Sequence, residues 1–171
     1  MRHGAVVWLT GLSGAGKTTV AGHLVEMVLA RGTRPVLLDG DRIRAALPTT
    51  LGHTAAERRQ LGAGYGRLAR EFARQGHLVV CATISLFHDI QRWNRANLPH
   101  YVEVWLRVPE AELRRRDPKG LYGAGHADLA GVDVPAQFPT SPDLVIDNSG
   151  ATSAEQAAAA VLHALIDKDL T

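Results

Sequence analysis

The most constraining feature of this 171-residue sequence is a glycine-rich segment near its start, in which Gly11 and Gly16 flank four residues and Lys17 and Thr18 follow. An apolar run precedes the segment, and a helix-forming stretch begins at Lys17. A Gly-x-x-x-x-Gly-Lys-Thr pattern between a strand and a helix is typical of a phosphate-binding loop (P-loop). Its backbone N–H groups and the positive end of the helix dipole favour a bound anion. The sequence therefore predicts a nucleoside triphosphate site at this turn.

The loop also carries predicted chemical roles. Lys17 is expected to neutralise the β- and γ-phosphates, and the hydroxyl of Thr18 is placed to hold Mg²⁺. The residues expected to contact the nucleotide around this loop are Gly11, Ser13, Gly14, Ala15, Gly16, Lys17, Thr18 and Thr19.

Apolar runs bounded by turn residues alternate with longer amphipathic stretches, which is the pattern of repeated β-α units over a parallel sheet. The predicted strands are Ala5–Thr10, Pro35–Asp39, Leu78–Thr83, Val102–Val108 and Leu144–Ile146. The predicted helices are Lys17–Ala30, Ala55–Gln75, His88–Ala96, Glu110–Arg116 and Ser153–Asp167. The expectation is one α/β domain over residues 1–171, a three-layer sandwich with a mainly parallel five-stranded sheet.

Composition excludes several classes of protein. Charged residues make up 21% and hydrophobic residues 46% of the chain, an ordinary globular mixture. A formal net charge of +2 and an aromatic content of 5% argue against a nucleic-acid partner. No apolar stretch approaches the roughly 20 residues of a membrane span, and the N-terminus does not resemble a signal peptide. The only cysteine, Cys81, lies in an apolar run and is expected in the core, so the predicted setting is the cytoplasm.

Residues 117–142 break the α/β alternation with four prolines and four glycines, and this length predicts a mobile lid over a functional site. Lys119 is the only lysine or arginine between residues 119 and 133. Because basic lid residues commonly stabilise the phosphoryl group in transit, we expect Lys119 to have that catalytic role, with His126 as a possible aid.

Two carboxylates, Asp39 and Asp41, end the second predicted strand. This is the edge of a parallel sheet at which ligands bind, next to the P-loop. One carboxylate can organise the magnesium shell, for which Asp39 and Thr18 are the predicted ligands, and the other can orient or deprotonate an attacking hydroxyl, a role we give first to Asp41. The alternative is that an aspartate here only caps the next helix.

A further group of residues follows the third strand. Phe87, His88, Arg92 and Arg95 begin a helix at the ligand edge and offer an aromatic face and several donors to an anionic, ring-bearing acceptor. For His88, a hydrogen bond to phosphate or at the helix start is favoured over a role as general base.

At this point the sequence resembles the adenylylsulfate (APS) kinase family. The residues that carry the resemblance are Trp8 to Thr19, Leu38 to Arg44, Ala82 to Ser85, Arg116 to Tyr122, and Gly131-Val132-Asp133-x-Pro135, and they occur in the family's order. The resemblance spans about Val7 to Asp147 and implies the P-loop kinase fold.

The resemblance also implies an activity and its residues. It implies a magnesium-dependent kinase, often a homodimer, that moves the γ-phosphate of ATP to the ribose 3′-hydroxyl of a nucleotide. It places Arg116 against the adenine of ATP. The acceptor residues that we predict, from the motifs and from the segment after the third strand, are Asp41, Arg44, Arg58, Ile84, Ser85, Phe87, His88, Arg92 and Arg95.

The sequence departs from the family at the acceptor. Where the family usually has an asparagine and a pair of arginines after the equivalent of Arg58, this chain has Leu61, Ala63 and Gly64. Each lost charge-assisted hydrogen bond is worth about 1.5 to 3 kcal/mol. The segment Ile84 to Arg95 instead resembles a side branch that includes the cytidine diphosphoramidate kinases.

Three functions therefore stay open. The preferred prediction is a kinase for a nucleotide-linked acceptor other than APS, such as cytidine diphosphoramidate. The second is a true APS kinase, and the third is a nucleotide-binding module with weak catalysis. A regulatory GTPase is excluded because the chain has no Asn-Lys-x-Asp guanine-reading motif.

Overall fold

The computed structural model describes residues 4–47, 52, 54–117, 120, 122 and 135–171, and these are built around a five-stranded parallel sheet. In chain order the strands are β1 (Val6–Thr10), β2 (Val36–Asp39), β3 (Val79–Ala82), β4 (Tyr101–Arg107) and β5 (Leu144–Asp147). Their spatial order is β2-β3-β1-β4-β5. All five predicted strands are present, with ends that differ by one residue.

β1 lies at the centre of the sheet and is buried along its whole length. It pairs with β3 through Val6 and Val79, and with β4 through Val6 and Tyr101. Apolar side chains on both faces suit a strand that is covered on both sides. Cys81 on β3 is 1% exposed, as expected for a core residue, and burial raises the pKa of its thiol.

The helices are α1 (Lys17–Ala30), α2 (Gly40–Ala46), α3 (Ala55–Arg74), α4 (His88–Asn97), α5 (Glu110–Arg116) and α6 (Ala154–Asp167). The capping box predicted for the last helix is present, because the hydroxyl of Ser153 accepts from the N–H of Gln156 and the side chain of Gln156 accepts from the N–H of Ser153. Among the helices of the described residues, the prediction missed α2, whose seven residues are too few for a periodic pattern.

Two apolar clusters lie on opposite faces of the sheet, which confirms the predicted α/β sandwich. One contains Val7 and Leu9 with residues of α1, α5 and α6. The other contains Val6 and Trp8 with residues of α3 and α4. Alternate residues of β1 therefore face different helical layers, as the two-residue period of a strand requires.

α3 and α4 approach each other closely at two glycines. A Cβ atom on Gly62 would lie 2.6 Å from Cδ1 of Ile90, and one on Gly66 would lie 2.6 Å from Oδ1 of Asn94. The two glycines are four positions apart, so both face the same neighbour. With glycine at both positions, side chains of α4 can pack against the backbone of α3.

Part of the predicted lid is described. The hydroxyl of Tyr122 donates to the carbonyl of Ser13 at 2.8 Å, and its N–H donates to Asp117. Lys119 and His126 lie outside the described residues. Within the described part of the chain, no helix is long and apolar enough to cross a membrane.

Candidate active site

A cavity of ≈ 780 Å³ opens where β1, β2 and β3 end. Parallel sheets bind ligands at this edge. The predicted site residues that line it are Ser13, Gly14, Gly16, Lys17, Thr18, Thr19, Asp39, Asp41, Arg44, Arg58, Ile84, Ser85, Phe87 and Arg116. Gly11 and Ala15 of the same loop are buried and do not line the cavity.

The P-loop has the backbone geometry that a phosphate site needs. Gly14 and Gly16 have φ angles of 79° and 87°, which side chains rarely tolerate. Gly16 is the N-cap of α1 and gives it no side-chain cap. The loop therefore aims backbone donors and a helix N-terminus at the cavity.

The side chain of Lys17 lies against the loop. Its Nζ atom donates to the carbonyl oxygens of Gly11 at 2.9 Å and Leu12 at 2.7 Å. The ammonium is thereby held at the cavity wall, within the turn that would surround the phosphates.

Thr18 and Asp39 form a direct pair. The hydroxyl of Thr18 donates to Oδ2 of Asp39 at 2.6 Å. Oδ1 of Asp39 accepts from the N–H groups of Asp41 at 3.1 Å and Arg42 at 3.2 Å. Asp39 thus caps α2, as the alternative interpretation expects, and it also contacts the P-loop through Thr18.

The Thr18–Asp39 pair fits a magnesium site. Mg²⁺ usually takes one or two carboxylates with phosphate and water oxygens. No cluster of three or more His, Cys, Asp or Glu side chains occurs among the described residues. A cation here would therefore draw its remaining ligands from a bound nucleotide and water.

On the side of the cavity opposite the P-loop, α2 and α3 supply charged and polar groups. Asp41, Arg44, Arg58 and Tyr65 line the cavity. Arg44 donates to the carbonyl of Gly52 at 2.5 Å. Tyr65 donates to the carbonyl of Gly40 at 2.9 Å, and burial raises the pKa of its hydroxyl. With Arg42, which also lines the cavity, three guanidinium groups and a carboxylate therefore face the same space.

The turn between β3 and α4 closes this side. Ser85 has a φ angle of 26°, and its hydroxyl lies 3.0 Å from that of Thr83. Phe87 lines the cavity with its ring packed beneath Arg59, whose guanidinium carbon is 4.9 Å from the ring centroid. Arg59 also forms an ion pair with Asp89 at 3.2 Å.

The structure corrects the placement of three predicted acceptor residues, because His88, Arg92 and Arg95 do not line the cavity. Nε2 of His88 lies 3.0 Å from the carbonyl oxygen of Phe138, and Arg92 is exposed. Arg95 pairs with Glu103 at 3.1 Å and Asp143 at 3.2 Å. Glu103 is 3% exposed, so Arg95 is paired with a buried carboxylate away from the cavity lining.

Arg116 and Asn148 connect the end of α5 to the P-loop. Nη2 of Arg116 donates to the carbonyl of Asn148 at 2.8 Å, and its Nε donates to Glu112 at 2.9 Å. Nδ2 of Asn148 donates to the carbonyl of Ala15 at 2.8 Å. A Cβ atom on Gly16 would lie 2.6 Å from that nitrogen, so only glycine fits there.

Of the three departures from the family pattern, only Leu61 lines the cavity. It is 5% exposed and belongs to the cluster around Trp8. Ala63 does not line the cavity, and open space surrounds the Cβ position of Gly64. Arg42, Arg44 and Arg58 are therefore the described cations on this side.

Five polar residues that line the cavity were not among the predicted site residues: Arg42, Tyr65, Thr83, Asn148 and Thr152. Tyr65 lies within a helix and belongs to no motif. Asn148 directly follows β5, and its position after a parallel strand is the one signal that could have identified it.

The chain is similar to known proteins over most of its length. The model of a protein family described as adenylylsulphate kinase matches residues 3–147. The adenylyl-sulfate kinase of Deinococcus deserti is 41% identical over 145 residues, which cover 82% of this chain and 80% of that protein. A probable bifunctional SAT/APS kinase of Sorangium cellulosum is 38% identical over 159 residues, covering 91% of this chain. The chain spans about a quarter of the length of such bifunctional relatives, 27% in this case.

A solved structure is similar over nearly the whole chain. The APS kinase of Mycobacterium tuberculosis, in complex with AMPPNP and APS, superposes with a TM-score of 0.88 at 32% identity. The match covers 97% of this chain and 99% of that one.

Proposed function

The chain belongs to the adenylylsulfate kinase family, and we therefore propose that it transfers the γ-phosphate of ATP to a hydroxyl of a nucleotide acceptor, with APS as the first candidate. The acceptor hydroxyl that we propose is the ribose 3′-hydroxyl. The observation that carries the proposal is the single continuous cavity, which joins the P-loop to Asp41, Arg44 and Arg58. Donor phosphate and acceptor hydroxyl can meet only in a space of this kind.

The P-loop side suits the ATP donor. Backbone N–H groups and Lys17 would hold the phosphates, and Thr18 with Asp39 would hold Mg²⁺. When bound, Mg²⁺ neutralises charge on the transferred group. Arg116 lines the same part of the cavity, which suits the predicted contact with adenine. Lys119 remains a proposed catalytic residue.

The opposite side suits an anionic acceptor. Arg44 and Arg58 can pair with its charged groups, and the Asp41 carboxylate can orient its hydroxyl. In the transfer, the acceptor oxygen forms a bond to the γ-phosphorus while the bond from that phosphorus to the β–γ bridging oxygen breaks. The hydroxyl proton passes to Asp41.

A coupled assay of ADP release tests the proposal with ATP, Mg²⁺ and APS. We expect ADP to appear in step with a 3′-phosphorylated product, identified by mass spectrometry. ADP release at the acceptor-free background, with ATP still bound, would show instead a nucleotide-binding module with weak catalysis.

One observation favours a second candidate, a cytidine-linked acceptor such as cytidine diphosphoramidate. Leu61 puts an apolar side chain in the cavity where the family usually has an asparagine, and neither Ala63 nor Gly64 brings a cation. Each charge-assisted hydrogen bond to an anion that is lost weakens its binding by ~1.5 to 3 kcal/mol. The same assay, run with cytidine diphosphoramidate, compares the kcat/KM values of the two acceptors.

A variant that restores the family pattern sharpens this comparison. The variant is the triple substitution Leu61→Asn, Ala63→Arg and Gly64→Arg. Residue 64 has room for an arginine, because its Cβ position has open space. If the chain uses a different acceptor, these changes should raise kcat/KM for APS by at least about tenfold. If wild type turns over APS efficiently and does not turn over cytidine diphosphoramidate, the second candidate is excluded.

A further inference from the structure

We infer that Gln137 is a positioning residue that holds the acceptor side of the cavity in place by capping helix α4 from a distant part of the chain. The residues that it positions, here called the acceptor wall, are Phe87, Pro135 and Ala136, which all line the cavity. The kinetic part of this inference rests on the proposed function, whereas its structural part does not.

Gln137 makes three hydrogen bonds to the turn before α4 and to α4 itself. Its side-chain Oε1 accepts from the N–H of His88 at 2.7 Å, and its own N–H donates to the carbonyl of Leu86 at 3.0 Å. Its carbonyl accepts from Nε2 of Gln91 at 2.8 Å, and Gln91 is 8% exposed. Gln137 thus bonds to the start of α4 and the turn before it through both its main chain and its side chain.

The start of α4 needs a hydrogen-bond acceptor from outside the helix. The first N–H groups of a helix have no partner inside the helix. The N-cap residue of α4 is Phe87, which supplies no side-chain cap. The amide oxygen of Gln137, 49 residues along the chain, takes the place of the missing cap.

This geometry connects two segments of the acceptor wall. Phe87 directly precedes the capped N–H, and Pro135 and Ala136 directly precede Gln137. Loss of the Gln137 side chain would therefore free the start of α4 and change where the Phe87 ring lies relative to Ala136. The donor side of the cavity is built from the P-loop and would not change.

A second anchor keeps the segment docked without Gln137. The ring of Phe138 stacks on Trp105 with centroids 5.1 Å apart, and its carbonyl oxygen lies 3.0 Å from Nε2 of His88. We therefore expect a Gln137 variant to fold, with its defect confined to the start of α4.

Hydrogen exchange tests the structural part without any substrate. In Gln137→Leu, which keeps the side-chain bulk and removes the acceptor oxygen, amides in a peptide covering residues 86–91 should exchange faster than in wild type. Gln137→Glu should restore protection, because a carboxylate accepts the same bond and suits a helix N-terminus. Unchanged exchange in Gln137→Leu would overturn the inference.

Kinetics test the positioning role, with whichever of APS and cytidine diphosphoramidate the wild type turns over. Gln137→Leu should raise the KM for the acceptor by about fivefold or more, as loss of one hydrogen bond allows, and leave the KM for ATP unchanged. Gln137→Glu should restore the acceptor KM. The matched control is Gln156→Ala, which removes the equivalent side-chain bond at the start of α6 and should leave the acceptor KM unchanged.

The outcomes separate the two claims. An acceptor KM within twofold of wild type in Gln137→Leu, or an equal rise in the KM for ATP, would overturn the positioning role. If wild type turns over neither acceptor, the proposed function fails, and hydrogen exchange alone decides whether Gln137 caps α4.

Discussion

The hydroxyl of Thr18, on the first turn of α1, donates a 2.6 Å hydrogen bond to the carboxylate of Asp39 at the end of β2. These two residues are 21 positions apart and come from separate motifs. Their contact joins the phosphate loop to the carboxylate edge of the cavity, and it gives each residue a role that can be separated from folding.

Asp39→Asn should separate the chemical role of Asp39 from its capping role. The asparagine oxygen can still accept from the N–H groups of Asp41 and Arg42, since asparagine is as good an N-cap as aspartate. The negative charge beside Thr18 is lost, so we expect turnover to fall about 100-fold. The Mg²⁺ concentration needed for half-maximal turnover should rise.

Measurements of kcat across Mg²⁺ concentrations, with urea unfolding of the same samples, check this expectation. Asp39→Ala serves as the comparison, because it removes the cap as well and should lower the free energy of unfolding by a further ~1 kcal/mol. Normal turnover in Asp39→Asn would exclude a role for its charge.

Asp41→Asn should lower turnover by about 100-fold or more while ATP binding survives, because a general base contributes on that scale. Asp41 lines the acceptor side and is exposed, so the substitution should not affect folding. Single-turnover rates and calorimetric titration with an ATP analogue measure the two effects. Asp167→Asn, at the far end of α6, is the control. Near-normal turnover would remove Asp41 from the mechanism.

Asn148→Ala should weaken ATP binding about tenfold, because it deletes the hydrogen bond to Ala15 that supports the P-loop. Asn148→Asp should weaken it further, since a carboxylate cannot donate to that carbonyl and adds negative charge beside the phosphate site. Titration of both variants with an ATP analogue gives the dissociation constants. Equal affinities in wild type and both variants would contradict the supporting role.

Cys81 should resist thiol reagents in the native protein. Its side chain is almost fully buried on β3, and burial raises the pKa of the thiol above its usual value, so little thiolate forms at pH 8. We expect DTNB to label Cys81 only at the rate of unfolding, and rapidly in urea. Complete labelling within seconds under native conditions would contradict the position of β3 in the core.

Glu112 should stabilise the fold in a pH-dependent manner. Hydrogen bonds from Arg115 and Arg116 lower the pKa of this carboxyl to about 2 from its ordinary 4.5. Because the folded-state pKa is the lower one, the stabilisation is complete above pH 4.5 and is lost as the pH falls towards 2.

Urea unfolding of wild type and Glu112→Gln at several pH values tests this sign. The difference between their midpoints should be constant from pH 7 to 5 and become smaller between pH 4.5 and 3. A difference that is independent of pH would show that the carboxylate charge contributes nothing.

The elements that could be predicted from sequence are those whose signals are local. Gly16 followed by Lys17 marks the start of α1, and Ser153 with Gln156 marks the start of α6; both predictions agree with the structure. β1 and β3 are the most easily recognised strands, because both of their faces are buried and each is a nearly uninterrupted apolar run.

The elements that could not be predicted depend on partners far along the chain. Arg95 presents the same charge in the sequence whether it faces a ligand or a carboxylate, and only folding brings Asp143 to it, 48 residues away. Asn148 gains its importance from a loop 133 residues earlier. Such pairs leave no periodic or spaced pattern. Motif reasoning therefore expected Arg95 at the cavity, which it does not line, and did not identify Asn148.

The close approach of α3 and α4 bears on how acceptor preference could be redesigned. A side chain at Gly62 or Gly66 would have to displace Ile90 or Asn94 of α4, which are themselves buried. Libraries that vary these positions would therefore disturb the packing of α4 beside the pocket. Libraries at Leu61 and Ala136, whose side chains line the cavity, would change its chemistry while the helix spacing stays constant.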